Sequence, residues 1–246
     1  MKTIKTTLFS VIIAMVTLFA ATAMFTTAAF AEETITITDH ADNEVTLPVN
    51  IERIAVCDIY PIPSVLTIFF DSADKIVAMA PASMAAAQNG LLGELYPEIL
   101  NADTSAISPE GVNTEELMKL DPQVVFYSAS NPQQGETLTN AGFNAVAISV
   151  NKWNYDAVET LNQWLILLEQ IFPGNSRTEQ VSTFSQESLD LVAERTKDLS
   201  DEERARVFFL FNCSEDSIVS SGANFFGQWW ADAIGAVNVA SELEQD

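Results

Sequence analysis

The stretch 113–128, NTEELMKLDPQVVFYS, constrains this chain more than any other. Asn113 or Thr114 can cap a short helix, and Glu115 and Glu116 then fall in its first turn, where the helix dipole favours negative charge. Leu117 and Leu120 give that helix an apolar edge. Asp121-Pro122 stops it, because proline disfavours helical geometry in the residue before it. Val124-Val125-Phe126-Tyr127 follows as a short buried strand. A helix, a proline and a buried strand in quick succession are the working step of an α/β architecture.

The N-terminus adds a destination. Lys2 and Lys5 precede an apolar run over 8–24, and Ala29-Phe30-Ala31 supplies small residues for cleavage. Residues 1–31 therefore read as a secretory signal peptide. A membrane anchor is the competing reading, and the small residues followed by Glu32-Glu33 argue against it. No cysteine follows the run, so a lipid-anchored lipoprotein is not indicated. The expectation is a periplasmic or secreted protein. Cleavage after Ala31 leaves 215 of 246 residues and takes away two lysines, so nine basic residues face 34 acidic ones, a net charge of −25. Nucleic acid and anionic membrane surfaces are poor partners for such a chain. Two cysteines are too few for a disulfide framework, so the core must supply the stability.

From 34 onward the chain alternates strands and helices. Residues 34–48 read as two short strands, with Asp42-Asn43 as the turn between them. Arg53-Ile54-Ala55-Val56 is a buried strand ending in Cys57-Asp58, and Pro63 sits in the first turn of the next helix. Ile76-Val77-Ala78-Met79 and Val146-Ala147-Ile148 are further strands. Residues 83–100 are mostly helical, and 134–142 form a short helix closed by Gly142. Strands alternating with helices mean a mainly parallel sheet covered on both faces. An amphipathic helix over 155–172 ends at Pro173-Gly174. A long polar helix over 176–199, with Val181, Phe184, Leu191, Val192 and Leu199 in a broken stripe, suits a strut between lobes. The plan then restarts: 206–211 reads as a buried strand ending near Cys213, followed by a helix from Phe225 to Ile234.

The order of Arg53-Ile54-Ala55-Val56, Asn113-Thr114-Glu115, Leu120-Asp121-Pro122 and 235–240 (GAVNVA), behind a leader and a hairpin ending in Pro48, resembles the substrate-binding proteins of ABC importers for iron–siderophore, haem and cobalamin. The similarity covers essentially all of the chain after the leader. It implies an α/β fold of two lobes with mainly parallel sheets, joined by one long helix, with the ligand held between them. On this reading 32–152 is the N-terminal lobe, 153–199 a helical segment containing the bridge, and 200–246 the start of a C-terminal lobe expected to be incomplete. Two positions depart from the pattern: Asp42 stands where a glycine is usual, and Gln123 where an aspartate is usual.

The resemblance implies a monomeric protein that performs no chemistry, keeps no permanent cofactor and hands a small-molecule metal complex or corrinoid to a membrane permease. Docking in this family uses one acidic residue on each lobe; Glu115 matches the first by position, and Asp232 is the nearest, more loosely placed counterpart of the second, both reading otherwise as helix-dipole or surface charges. Ligands of open α/β sheets bind beyond the carboxyl ends of the strands. Asp58, Tyr60, Tyr127, Trp153 and Tyr155 lie there in the first lobe, and Phe225 and Trp229 in the second. Their aromatic rings suit a bulky chelate, or alternatively belong to the core. At most one of Trp229 and Trp230 can face the cleft, and Trp164 reads as core. Lys152 is the one nearby cation, which favours a neutral or cationic ligand. Cys57 and Cys213, each ending the first strand of its lobe, read either as soft metal ligands facing across the cleft or as two free thiols. His40, beside a turn, reads as solvated. Being the one histidine, it leaves no basis for a Ser–His–Asp triad or a His-rich zinc site. The alternatives are a secreted enzyme using paired carboxylates, though no pair stands out by spacing, and a nonfunctional N-terminal fragment of a binding protein.

Overall fold

The computed structural model describes residues 33–243; the expected leader lies outside the described residues. No described helix is long and apolar enough to cross a membrane.

Strands β1 (Thr34–Thr38) and β2 (Glu44–Pro48) pair as an antiparallel hairpin. β3 (Ile54–Val56), β4 (Ile76–Met79), β7 (Val124–Ser128) and β8 (Ala145–Ile148) form the main sheet, all parallel, in the order β4-β3-β7-β8. Between them run α1 (Ile62–Phe70), α2 (Pro81–Gln88), α3 (Leu91–Leu95), a 3-10 turn (Pro97–Asn101), a two-residue hairpin of β5 (Ile107–Ser108) and β6 (Gly111–Val112), α4 (Thr114–Leu120) and α5 (Pro132–Asn140). The helical stretch expected over 83–100 is thus three pieces, interrupted at Asn89-Gly90 and at Tyr96-Pro97, where glycine and proline favour breaks.

The period of two along each strand sorts the core into two layers. Ile54, Val56, Phe126, Val146 and Ile148 point to one face, packing with Ile62 and Leu66 of α1 and Trp164, Leu168 and Ile171 of α6 (Ala157–Ile171). Ala55, Cys57, Val125, Tyr127, Ala145 and Ala147 point to the other, with Leu117 of α4 and Leu138 of α5. The Trp164 indole donates to the Ser149 carbonyl at 2.6 Å, so this tryptophan is core, as its helical position predicts.

Local chemistry fixes the joints. The Asn113 side chain caps α4 by accepting from the amides of Glu115 and Glu116. Asp121 then leaves the helix in the left-handed region (φ 47°), outside the right-handed helical geometry that Pro122 disfavours. Asp42 also sits at positive φ (64°), in the turn that otherwise favours glycine; aspartate tolerates this region better than most residues. Gln123 accepts from the amides of Glu52 and Arg53 and donates to the Asn50 carbonyl, tying the segment before β3 to the start of β7.

His40 is not solvated. It is half-buried, its Nδ1 accepts from the Ser149 amide at 3.2 Å, and its ring meets Trp153 edge-on at 4.9 Å. Neighbouring Asp39 is the reason: its carboxylate accepts from the amides of Ala41, Asn43 and Ala147, pulling the turn onto the edge of β8.

After α6 comes α7 (Thr178–Thr196), which has no fully buried residue. Beyond it the single buried strand expected over 206–211 is replaced by two short ones. β9 (Arg206–Val207) pairs in parallel with β12 (Val237–Asn238), while β10 (Leu210–Cys213) pairs antiparallel with β11 (Ile218–Ser220). Phe208, ahead of the latter hairpin, and Leu210 and Phe211 within it are about half exposed. α8 (Phe226–Ala233) connects β11 to β12.

Candidate functional site

The carboxyl ends of β3 and β4 open into a cavity of about 210 Å³. Cys57 and Asp58 form its base, because β3 ends there and the chain turns outward towards Tyr60. Ala80-Pro81-Ala82, at the start of α2, form one wall. Asn131 and Gln134, in the first turn of α5, form another, and 107–111 close the third side. Two helix N-termini therefore border the cavity, each placing partial positive charge near the Asp58 carboxylate.

Asp58 accepts from the Ser128 amide at 2.8 Å and from the Asn131 side-chain amide at 3.4 Å. Glu110 stands at the rim, held below the usual carboxylate range by the Ser108 hydroxyl and its own backbone amide. Among the described residues no Lys, Arg or His lines the cavity. Tyr60 is 57% exposed at its mouth.

Cys57 is fully buried, and burial, reinforced by the Asp58 charge, pushes its thiol up to about 12. A thiol so protonated is a poor metal ligand and a poor nucleophile. Cys213 is exposed on the β10–β11 hairpin and does not end the first strand of its segment, because β9 takes that place. Both are free thiols, and among the described residues no group of three or more His, Cys, Asp and Glu could hold a metal ion.

The remaining expected residues are distributed over other sites. Tyr127 is buried and lies against Gly135 of α5, lining a separate groove. Trp153 packs on His40. Tyr155, at φ 59° after Asn154 at φ 52°, reaches Phe225 and Phe226 with ring centroids 4.9 and 5.2 Å away. That contact joins the loop after β8 to the start of α8. Trp229 and Trp230 both line a hollow of about 400 Å³ against α7. Glu115 is exposed in the first turn of α4, and Asp232 is exposed on α8, accepting from Gln228.

The lining residues Ser108, Glu110, Asn131 and Gln134 were not among the expected set. Ser108-Pro109-Glu110-Gly111 is a turn sequence and Asn131-Pro132 a helix start, so both signals were present. What the sequence lacks is any sign that these two turns sit beside the end of β3.

No protein-family model and no curated protein matches the sequence. Solved structures do. A periplasmic solute-binding protein from Veillonella parvula superposes with a TM-score of 0.71 at 23% identity, over 87% of this chain and 62% of that one. The molybdate-bound periplasmic binding protein MolA of a Haemophilus influenzae ABC transporter gives 0.70 at 24%, over 85% and 67%. Helicobacter pylori CeuE, in a nickel–histidine complex, gives 0.59 at 19%, over 87% and 64%. The chain thus spans a little under or about two thirds of the length of these proteins. Its fold is thus similar to that of these periplasmic binding proteins.

Proposed function

We infer that the chain is the solute-binding component of an ABC importer, exported to the periplasm, which captures a metal chelate or corrinoid and passes it to a membrane permease. The observation that carries this reading is the cavity itself. It lies at the carboxyl ends of parallel strands, where ligands of open sheets bind, in a fold shared with periplasmic solute-binding proteins. In this account the protein supplies binding and no chemistry, acts as a monomer, and keeps no permanent cofactor.

The lining chemistry narrows the ligand. Asp58 and Glu110 face it with no compensating cation, which disfavours strongly anionic chelates and favours a neutral or cationic one, such as a ferric hydroxamate or a corrinoid. At about 210 Å³ the cavity receives one end of such a ligand. Tyr155 and Phe225, on the aromatic contact between the loop after β8 and α8, are proposed to meet the rest of it. Glu115 and Asp232, both exposed, are the proposed contacts with the permease.

Calorimetric titration of the purified chain with a ferric hydroxamate, a ferric catecholate, haem and cobalamin tests this reading. The expected result is one-to-one saturation by the hydroxamate or cobalamin, weakened about tenfold in Asp58→Ala and severalfold in Glu110→Gln. A folded chain that binds none of the four, or that prefers the anionic catecholate, contradicts it.

A further inference from the structure

Asp58, at the base of the cavity, has acceptor capacity to spare. Its Oδ1 accepts from the Ser128 amide at 2.8 Å. Its Oδ2 has a long 3.4 Å contact with the Asn131 side-chain amide, which donates more closely, at 2.9 Å, to Gln134 Oε1. A carboxylate accepts about four hydrogen bonds, so the second oxygen has room for further donors. Glu110, exposed at the rim, carries the other carboxylate of the lining. Among the described residues neither carboxylate enters an ion pair.

The balance of charge in the cavity then selects a chemical group. Two carboxylates bring two negative charges. The N-termini of α2 and α5, at roughly half a positive charge each, offset about one of them. What is left matches a single positive charge. A bare metal ion is a poor candidate for it, because no group of three or more His, Cys, Asp and Glu is available among the described residues. A protonated primary amine supplies one charge and three N–H donors on a compact head. Size agrees: about 210 Å³ is below the roughly 300–1,000 Å³ that encloses a whole drug-sized ligand, and it suits a short aminoalkyl arm.

We propose that this cavity is an ammonium subsite, receiving a protonated primary amine on a short arm of the chelate, which donates to Asp58 Oδ2 and to the Glu110 carboxylate. The proposal rests on the importer reading for the chelate itself. It makes these two residues the determinants that separate amine-bearing ligands from their neutral analogues.

The test compares a ferric trihydroxamate bearing a free terminal amine with its N-acetyl derivative, neutral at that group, by calorimetric titration of the purified chain at low ionic strength. The amine form is expected to bind about tenfold more tightly. Glu110→Gln and Asp58→Asn are each expected to cut that preference to about threefold or less, while Glu187→Gln, exposed on α7, leaves it unchanged. Pentylamine, protonated at pH 7, probes the subsite without a chelate. At about 20 mM, enough to fill a site with Kd on the order of 1 mM, it is expected to shift amides within 57–60 and 107–111 in NMR spectra, whereas neutral pentanol does not. Equal affinity for the two chelates, or a preference that both cavity variants keep in full, overturns the proposal and leaves the importer reading standing. If neither chelate binds a folded chain, the importer reading falls for this ligand class and the amine titration decides: pentylamine shifts uphold the subsite, and their absence overturns it.

Discussion

His40 shows how a single side chain ties the hairpin to the sheet. Burial lowers its pKa from 6.5 to about 4, the nearby Lys152 charge acting in the same direction and a bond to the Gln163 backbone opposing. The folded state therefore holds it neutral, in keeping with Nδ1 accepting from Ser149. Between pH 6.5 and 4 the unfolded chain binds a proton that the folded chain refuses, so this group's contribution to stability is fully present above 6.5 and falls as pH drops. With solvent screening allowed for, the loss by pH 4 is on the order of 2 kcal/mol. Because the chain carries a net charge of −23, protonation of its carboxylates acts in parallel, and the effect is read against a reference variant. His40→Gln keeps an acceptor but does not titrate. Urea unfolding at pH 7, 5 and 4 is expected to show wild type losing stability relative to that variant as pH falls; parallel profiles would contradict the assignment. None of this was legible in the sequence, where a histidine beside a turn looks solvated. The cause is Asp39, whose carboxylate bonds an amide 108 residues away.

At the level of elements, the parts that were legible are those in which one short segment carries its own instructions. The α4–β7 step is the clearest case: cap, acidic first turn, proline and apolar run stand in register, and the structure reproduces each. Asn113 alone satisfies two amides at the start of a seven-residue helix. Asn113→Ala is therefore expected to cost about 1 kcal/mol, measured as a lowered midpoint of thermal or urea unfolding, and Asn113→Ser is expected to recover most of it. An Ala variant as stable as wild type would show that packing of Leu117 suffices. The C-terminal segment was misread for the opposite reason. RVFFLF looks like a buried strand by composition, but burial depends on a covering layer that local sequence does not encode. Phe208, Leu210 and Phe211 are accordingly about half exposed, and Ile218 and Val219 on β11 are exposed as well. The cavity at the end of β3 was half legible. Asp58 and Tyr60 follow from the end of β3, whereas Tyr127, on the same face of the sheet as Cys57, packs against Gly135 of α5 and lines a separate groove.

For the molecule as a whole, the parallel sheet and the helices that start at its carboxyl edge bring Asp58, Glu110, Asn131 and Gln134 to one opening, from positions up to 76 apart in sequence. Each belongs to a turn leaving a strand or entering a helix, and the fold is what makes them neighbours. The buried Cys57, with its thiol pushed up to about 12, offers this opening no thiolate nucleophile. Capture without conversion is the central claim, and native mass spectrometry after incubation with a ferric hydroxamate or cobalamin tests it most directly. The account predicts a one-to-one complex from which denaturation releases the ligand with its mass unchanged. Release of a hydrolysed or otherwise altered molecule, or no complex from a chain shown to be folded, would contradict it.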